Sequence, residues 1–283
     1  MQIRSLILLF LVMTTHLQMN AQHEQTGHYA AVNGLKMYYE IHGKGMPLVL
    51  LHGGGSTIAS NWSRILPELA KNYQVIAVEL QAHGHTADID RPLSFEQDAD
   101  DVAALLKQLH IEKADIMGFS NGATTSLQIA IRHPKLVNKL VLASTLYKRE
   151  GMMPGFFEGM EHATFDQMPQ PLKDAYLKAN PDPKGLDAMF HRDVARMVGF
   201  KDISDEQIKN IQAPALVING DAEVIKAEHA LTLSRTLPHA QLAILPGGHG
   251  DYIGEICAPD RNSKIPDLVV AMIDRFLKEE ASK

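Results

Sequence analysis

Ala114-Asp115-Ile116-Met117-Gly118-Phe119-Ser120-Asn121-Gly122 is the stretch that decides the fold. A strand-like run, 114–117, enters Gly118-x-Ser120-x-Gly122, and a helix-like segment, 121–133, leaves it and is closed by Pro134. A serine at the tip of so tight a strand-to-helix turn projects its hydroxyl, and the flanking glycines carry no Cβ to collide with the neighbouring chain. The backbone N–H of Asn121, at the start of the helix, is placed to help hold an oxyanion that develops beside the serine.

Outward from this turn the chain alternates strand and helix patterns. Asn33-Gly34 joins two strand-like runs as a hairpin. The apolar run 48–51 lacks polar alternation, which suits a strand buried on both faces of a parallel sheet, and it ends in His52-Gly53-Gly54-Gly55. A helix is predicted around 60–71 and a strand at 74–80. Ser94 with Gln97 forms a capping box ahead of a helix whose Phe95, Ala99, Val102, Leu105 and Leu106 share one face. After a strand at 139–143 the rhythm changes. Segment 144–210 has no strand-like run, and methionines such as Met152, Met168 and Met189 are interleaved with phenylalanines. A second capping box, Ser204 with Gln207, precedes a buried strand at 215–219 that leads into Gly220-Asp221-Ala222-Glu223. The last strand, 241–245, runs into Pro246-Gly247-Gly248-His249-Gly250, and Pro266 opens a terminal helix. This alternation predicts an α/β chain with a mostly parallel sheet and helices on both faces.

The 283 residues carry a net charge of −6 and are 45% hydrophobic, enough apolar material for a large core, with no basic stripe that would suit nucleic acid. Cys257 is the only cysteine, so neither an internal disulfide nor a cysteine metal cluster can form. At the N-terminus, Arg4 precedes the short apolar run 6–13 and a polar stretch that reaches Ala21. Residues 1–21 therefore read as a secretory signal peptide, and its apolar run is too short to span a membrane. With no cysteine near the cut for a lipid, a soluble protein without a membrane anchor, in the periplasm or outside the cell, is expected.

The His52 glycine loop and the serine turn, with serine, acid and the histidine at 249 following in that chain order, resemble the α/β-hydrolase superfamily, and the likeness runs from about 28 to 276. The resemblance implies a core formed by 22–143 and 211–283, with 144–210 inserted as a helical cap over the site. It implies Ser120 as nucleophile, the Gly54 N–H as second oxyanion donor beside that of Asn121, and His249 as base. The triad acid falls on Glu223, three residues after Gly220, with Asp221 as the alternative. Either supplies the carboxylate that fixes the histidine tautomer. Three features depart from the common pattern: Glu79 and Ala82 stand in the loop before Gly84, Ser56 follows the glycine run, and Gly250 follows the histidine.

The expected activity is hydrolysis of a small-molecule ester or thioester through an acyl-enzyme, with no cofactor and no metal. The glycine run also suits a carbon–carbon bond hydrolase or lactonase of the same fold, and a non-catalytic ligand-binding member is the alternative outside catalysis. A metal site at His83-x-His85-x-x-Asp88 is a weaker possibility, because metal sites normally converge three or more ligands and this spacing supplies no third histidine.

Overall fold

The computed structural model describes residues 27–279, so the expected leader, 1–21, lies outside the described residues. Eight strands form one sheet: β1 (Gly27–Val32), β2 (Leu35–His42), β3 (Met46–Leu51), β4 (Tyr73–Glu79), β5 (Ala114–Phe119), β6 (Val137–Ala143), β7 (Ala215–Gly220) and β8 (Ala240–Leu245), in the order β1-β2-β4-β3-β5-β6-β7-β8. The β1–β2 and β2–β4 pairings are antiparallel and the rest are parallel, which gives the mostly parallel sheet expected. Asn33 and Gly34 both take positive φ, 47° and 83°, as the turn between β1 and β2 requires.

The central strands are buried along most of their length and alternate sides. Val49 and Leu51 of β3 enter one core layer, Leu48 and Leu50 the other. On the second of these faces lie α1 (Ile58–Trp62), α2 (Leu66–Leu69) and, at the end of the chain, α10 (Ile265–Lys278). The first is covered by α3 (Phe95–Gln108), α4 (Asn121–Arg132), α8 (Asp205–Lys209) and α9 (Ala227–Thr236). Burial of this apolar surface, at about 25 cal/mol per Å², is what holds both layers to the sheet.

Two local expectations differ. The single helix around 60–71 is broken into α1 and α2, because Pro67 has no N–H and its ring would clash with the Ser63 carbonyl, so the helix restarts with proline in its first turn. Ser94 caps α3, but Gln97 does not reciprocate: its amide donates to Asp101 at 2.9 Å, one turn further on. At Ser204 and Gln207 both halves of the box are present.

Between β6 and β7 the chain carries α5 (Phe156–Glu161), α6 (Gln170–Ala179) and α7 (Pro183–Val198) before α8 returns to the sheet through Ile208. These three helices pack through two small apolar clusters, Phe157, Met197 and Phe200 with Phe95 and Ile225, and Met168, Tyr176 and Met189 with Ala82.

Candidate active site

Ser120 sits between the end of β5 and the start of α4 with φ 55° and ψ −119°, a backbone state that costs a non-glycine residue about 1–3 kcal/mol. The turn persists because its surroundings leave no alternative. A Cβ on Gly118 would run into the Gly122 carbonyl, and one on Gly122 into the Leu51 carbonyl of β3. Glycine at both places lets the turn close against its neighbours and presents the serine hydroxyl.

His249 reaches this hydroxyl from the loop after β8. Its Nε2 lies 3.1 Å from Ser120 Oγ, and its Nδ1 lies 2.6 Å from Glu223 Oε2. A carboxylate accepts only, so Nδ1 carries the proton and the Nε2 lone pair faces the serine O–H. The Glu223 carboxylate is completely enclosed. Its other oxygen accepts from the Gly220 N–H at 2.6 Å and from the Ser144 hydroxyl at 2.9 Å. Ser144 is in turn 2.6 Å from the Tyr252 hydroxyl, whose pKa burial pushes well above the phenol range, so Tyr252 stays a neutral donor. Asp221 is exposed, and its carboxylate accepts from the Gly247 N–H at 2.9 Å, which shapes the histidine loop rather than meeting the ring.

Two of the departures from the common pattern, Gly250 and Glu79, have local causes. Gly250 has φ 82°, and a Cβ there would approach Phe119 Cζ to 2.9 Å and Glu255 Cβ to 2.8 Å, so no larger residue fits behind the histidine. Glu79 is buried and accepts from the N–H groups of Ile58 at 3.2 Å and His85 at 2.6 Å; Gly84 is needed because a Cβ would strike that longer carboxylate. His83, His85 and Asp88 turn to three different partners, Asp193, Glu79 and Arg192. Among the described residues no group of three or more His, Cys, Asp or Glu is arranged to hold a metal.

Gly54 and Asn121 line the same cavity as Ser120 and His249, and among the described residues neither backbone N–H has an acceptor. The cavity, about 620 Å³, runs beneath α5, α6 and α7. Six methionines line it: Met152, Met153, Met160, Met168, Met189 and Met197. None of its described lining residues is lysine or arginine; the acid present is Asp193. Asp193, Ser144 and Tyr252 carry no sequence signal that would have singled them out. Asp193 reads locally as one more charge on a helix, Ser144 meets Glu223 only because β6 and β7 are neighbours, and Tyr252 meets Ser144 from the turn after β8.

The family described as alpha/beta hydrolase fold matches residues 46–172. A 2-hydroxy-6-oxo-2,4-heptadienoate hydrolase from Pseudomonas putida is 26% identical over 245 residues, covering 78% of this chain and 88% of that protein. The human serine hydrolase BPHL is 28% identical over 239 residues, 77% of this chain and 78% of its own length. Among solved structures, a serine hydrolase involved in carbazole degradation superimposes with a TM-score of 0.72 at 25% identity, over 89% of this chain and 98% of the other. Strand order, serine turn and these likenesses together define the class: the chain belongs to the α/β-hydrolase superfamily. Within it, the chain is a hydrolase enzyme.

Proposed function

We propose that this hydrolase cleaves small neutral esters or thioesters through Ser120, His249 and Glu223. The observation that carries the reading is the continuous relay from the Ser120 hydroxyl through both ring nitrogens of His249 to the Glu223 carboxylate, at 3.1 Å and 2.6 Å. Ser120 Oγ attacks the acyl carbonyl while its proton passes to His249 Nε2. The carbonyl oxygen becomes an oxyanion held by the N–H groups of Gly54 and Asn121. The carbon–oxygen or carbon–sulfur bond then breaks, and His249 returns the proton to the leaving alkoxide or thiolate. Water attacks the acyl-enzyme, gives its proton to His249, and releases the acid as Ser120 recovers its hydrogen. A lactone is an internal ester and follows the same steps.

The P. putida relative's name favours a second reading, hydrolysis of a carbon–carbon bond in a dienoate. A dienoate carries a carboxylate, and among the described residues this cavity offers no lysine or arginine to pair with one. An unpaired charge in an apolar site is strongly penalised. Aryl esters of a neutral acyl chain are therefore expected to have a kcat/KM about a hundredfold above matched esters that end in a carboxylate. Comparison of a butyrate with a hemisuccinate ester checks this. Faster turnover of the charged ester, or of a dienoate carbon–carbon bond, would shift the assignment to the second reading.

A further inference from the structure

In the loop Gly53-Gly54-Gly55 the N–H groups of Gly53 and Gly55 and the Gly53 carbonyl are engaged. The Gly53 N–H donates to Asn61 Oδ1 at 2.7 Å, and its carbonyl accepts from the buried His52 ring at 2.8 Å and from the Ser56 N–H at 3.3 Å. These anchors belong to the sheet side of the molecule. Gly55, at φ +67°, is held differently: its N–H donates to Asp193 Oδ2 at 2.6 Å, and Asp193 stands on α7, which covers the site. The Gly54 N–H, between two occupied ones, is left open to the cavity.

Asp193 is itself fixed on all sides. The same Oδ2 takes a hydrogen bond from His83 Nε2 at 2.9 Å, while Oδ1 accepts from Arg196, whose other nitrogen reaches Asp98 at 2.8 Å. His83 Nδ1 faces the Gln81 carbonyl at 2.8 Å, so both ring nitrogens meet acceptors and the ring is held as imidazolium. Burial alone would discharge His83, but the Asp193 carboxylate overrides it and raises its pKa. Burial likewise works against charge on Asp193, and Arg196 and His83 more than offset this and hold its pKa low. Two cations and two carboxylates thus form a closed buried cluster with one arm on the glycine loop.

We propose that Asp193 is a positioning residue for the oxyanion hole: by occupying the Gly55 N–H from α7, it orients the Gly54 N–H toward the reacting carbonyl, so that the hole is complete only when the helices over the site are seated. This rests on the reading of Ser120 as nucleophile. A flexible glycine loop without this anchor samples orientations in which its free N–H misses the oxyanion, and misplacement of an oxyanion donor costs less than its removal but acts on the same step.

The test uses the full chain and two ligands of one shape: an aryl trifluoromethyl ketone, to which Ser120 adds so that the ketone oxygen becomes an oxyanion and the proton goes to His249, and the matching methyl ketone, which binds without addition. Asp193→Ala is expected to weaken trifluoromethyl ketone affinity and lower kcat by about 10- to 100-fold each, with methyl ketone affinity and KM within about twofold. Asp193→Asn, which keeps one acceptor, is expected to lose less. Unchanged trifluoromethyl ketone affinity, or equal loss of both ketones, overturns the proposal. Should Asp193→Ala not fold, amide hydrogen exchange of the wild-type protein decides: Gly55 is expected to exchange far more slowly than Gly54, and equal rates overturn it. Wild-type protein that forms no trifluoromethyl ketone adduct at all refutes the Ser120 reading first, and the proposal with it.

Discussion

Ser120→Ala is expected to lower kcat/KM for a neutral aryl ester by roughly 10⁵- to 10⁶-fold, the loss that follows removal of a triad nucleophile. That corresponds to about 7–8 kcal/mol of transition-state stabilisation. The magnitude follows from what is left behind. Without Oγ no acyl-enzyme forms, and the remaining rate comes from water acting next to His249 with the Gly54 and Asn121 N–H groups still in place. The fold should not suffer, because the turn is dictated by Gly118 and Gly122 and the lost hydroxyl has His249 as its hydrogen-bond partner. The thermal midpoint is expected to move by no more than a few degrees. Steady-state kinetics beside a melting curve check both halves. Activity that survives the substitution in folded protein would mean that water or another group attacks the substrate.

Glu223→Gln should cost about 10³- to 10⁴-fold in kcat although its shape is unchanged. Both oxygens of Glu223 face donors: His249 Nδ1 on one side, Gly220 N–H and Ser144 O–H on the other. A glutamine must set its NH₂ against one of these. Toward His249, it selects the tautomer with the proton on Nε2, and the base facing Ser120 is gone. Toward Gly220 and Ser144, two buried donors lose their acceptor, which costs about 1–3 kcal/mol. Asp221→Asn is the control, since among the described residues the Asp221 carboxylate holds only the exposed Gly247 N–H, and its kcat should stay within about threefold of wild type. A large loss at Asp221 with little at Glu223 would reverse the assignment of the acid.

What could be read without coordinates was what one turn or one strand end decides. Gly118 and Gly122 announce the serine turn because the steric demand is met within five residues. The loops carrying Glu223 and His249 could be found because each directly follows a strand, β7 buried throughout and β8 at the sheet edge. Asp193 was out of reach for the opposite reason: it is 138 residues from Gly55, and its meaning exists only once α7 lies over the glycine loop. The choice between Glu223 and Asp221 is likewise geometric, a matter of which carboxylate turns inward. Pro67, in contrast, was a visible helix breaker, and the expected helix around 60–71 ran through it against its plain steric meaning.

The central claim is that Ser120 is made nucleophilic by His249 and Glu223. Mass spectrometry of the folded wild-type protein after reaction with a fluorophosphonate tests it most directly. One phosphonyl group per chain is expected, located on the peptide containing Ser120, with labelling at least about a hundredfold slower in Glu223→Gln. An unlabelled wild-type protein, or a label on any other residue, would contradict the account.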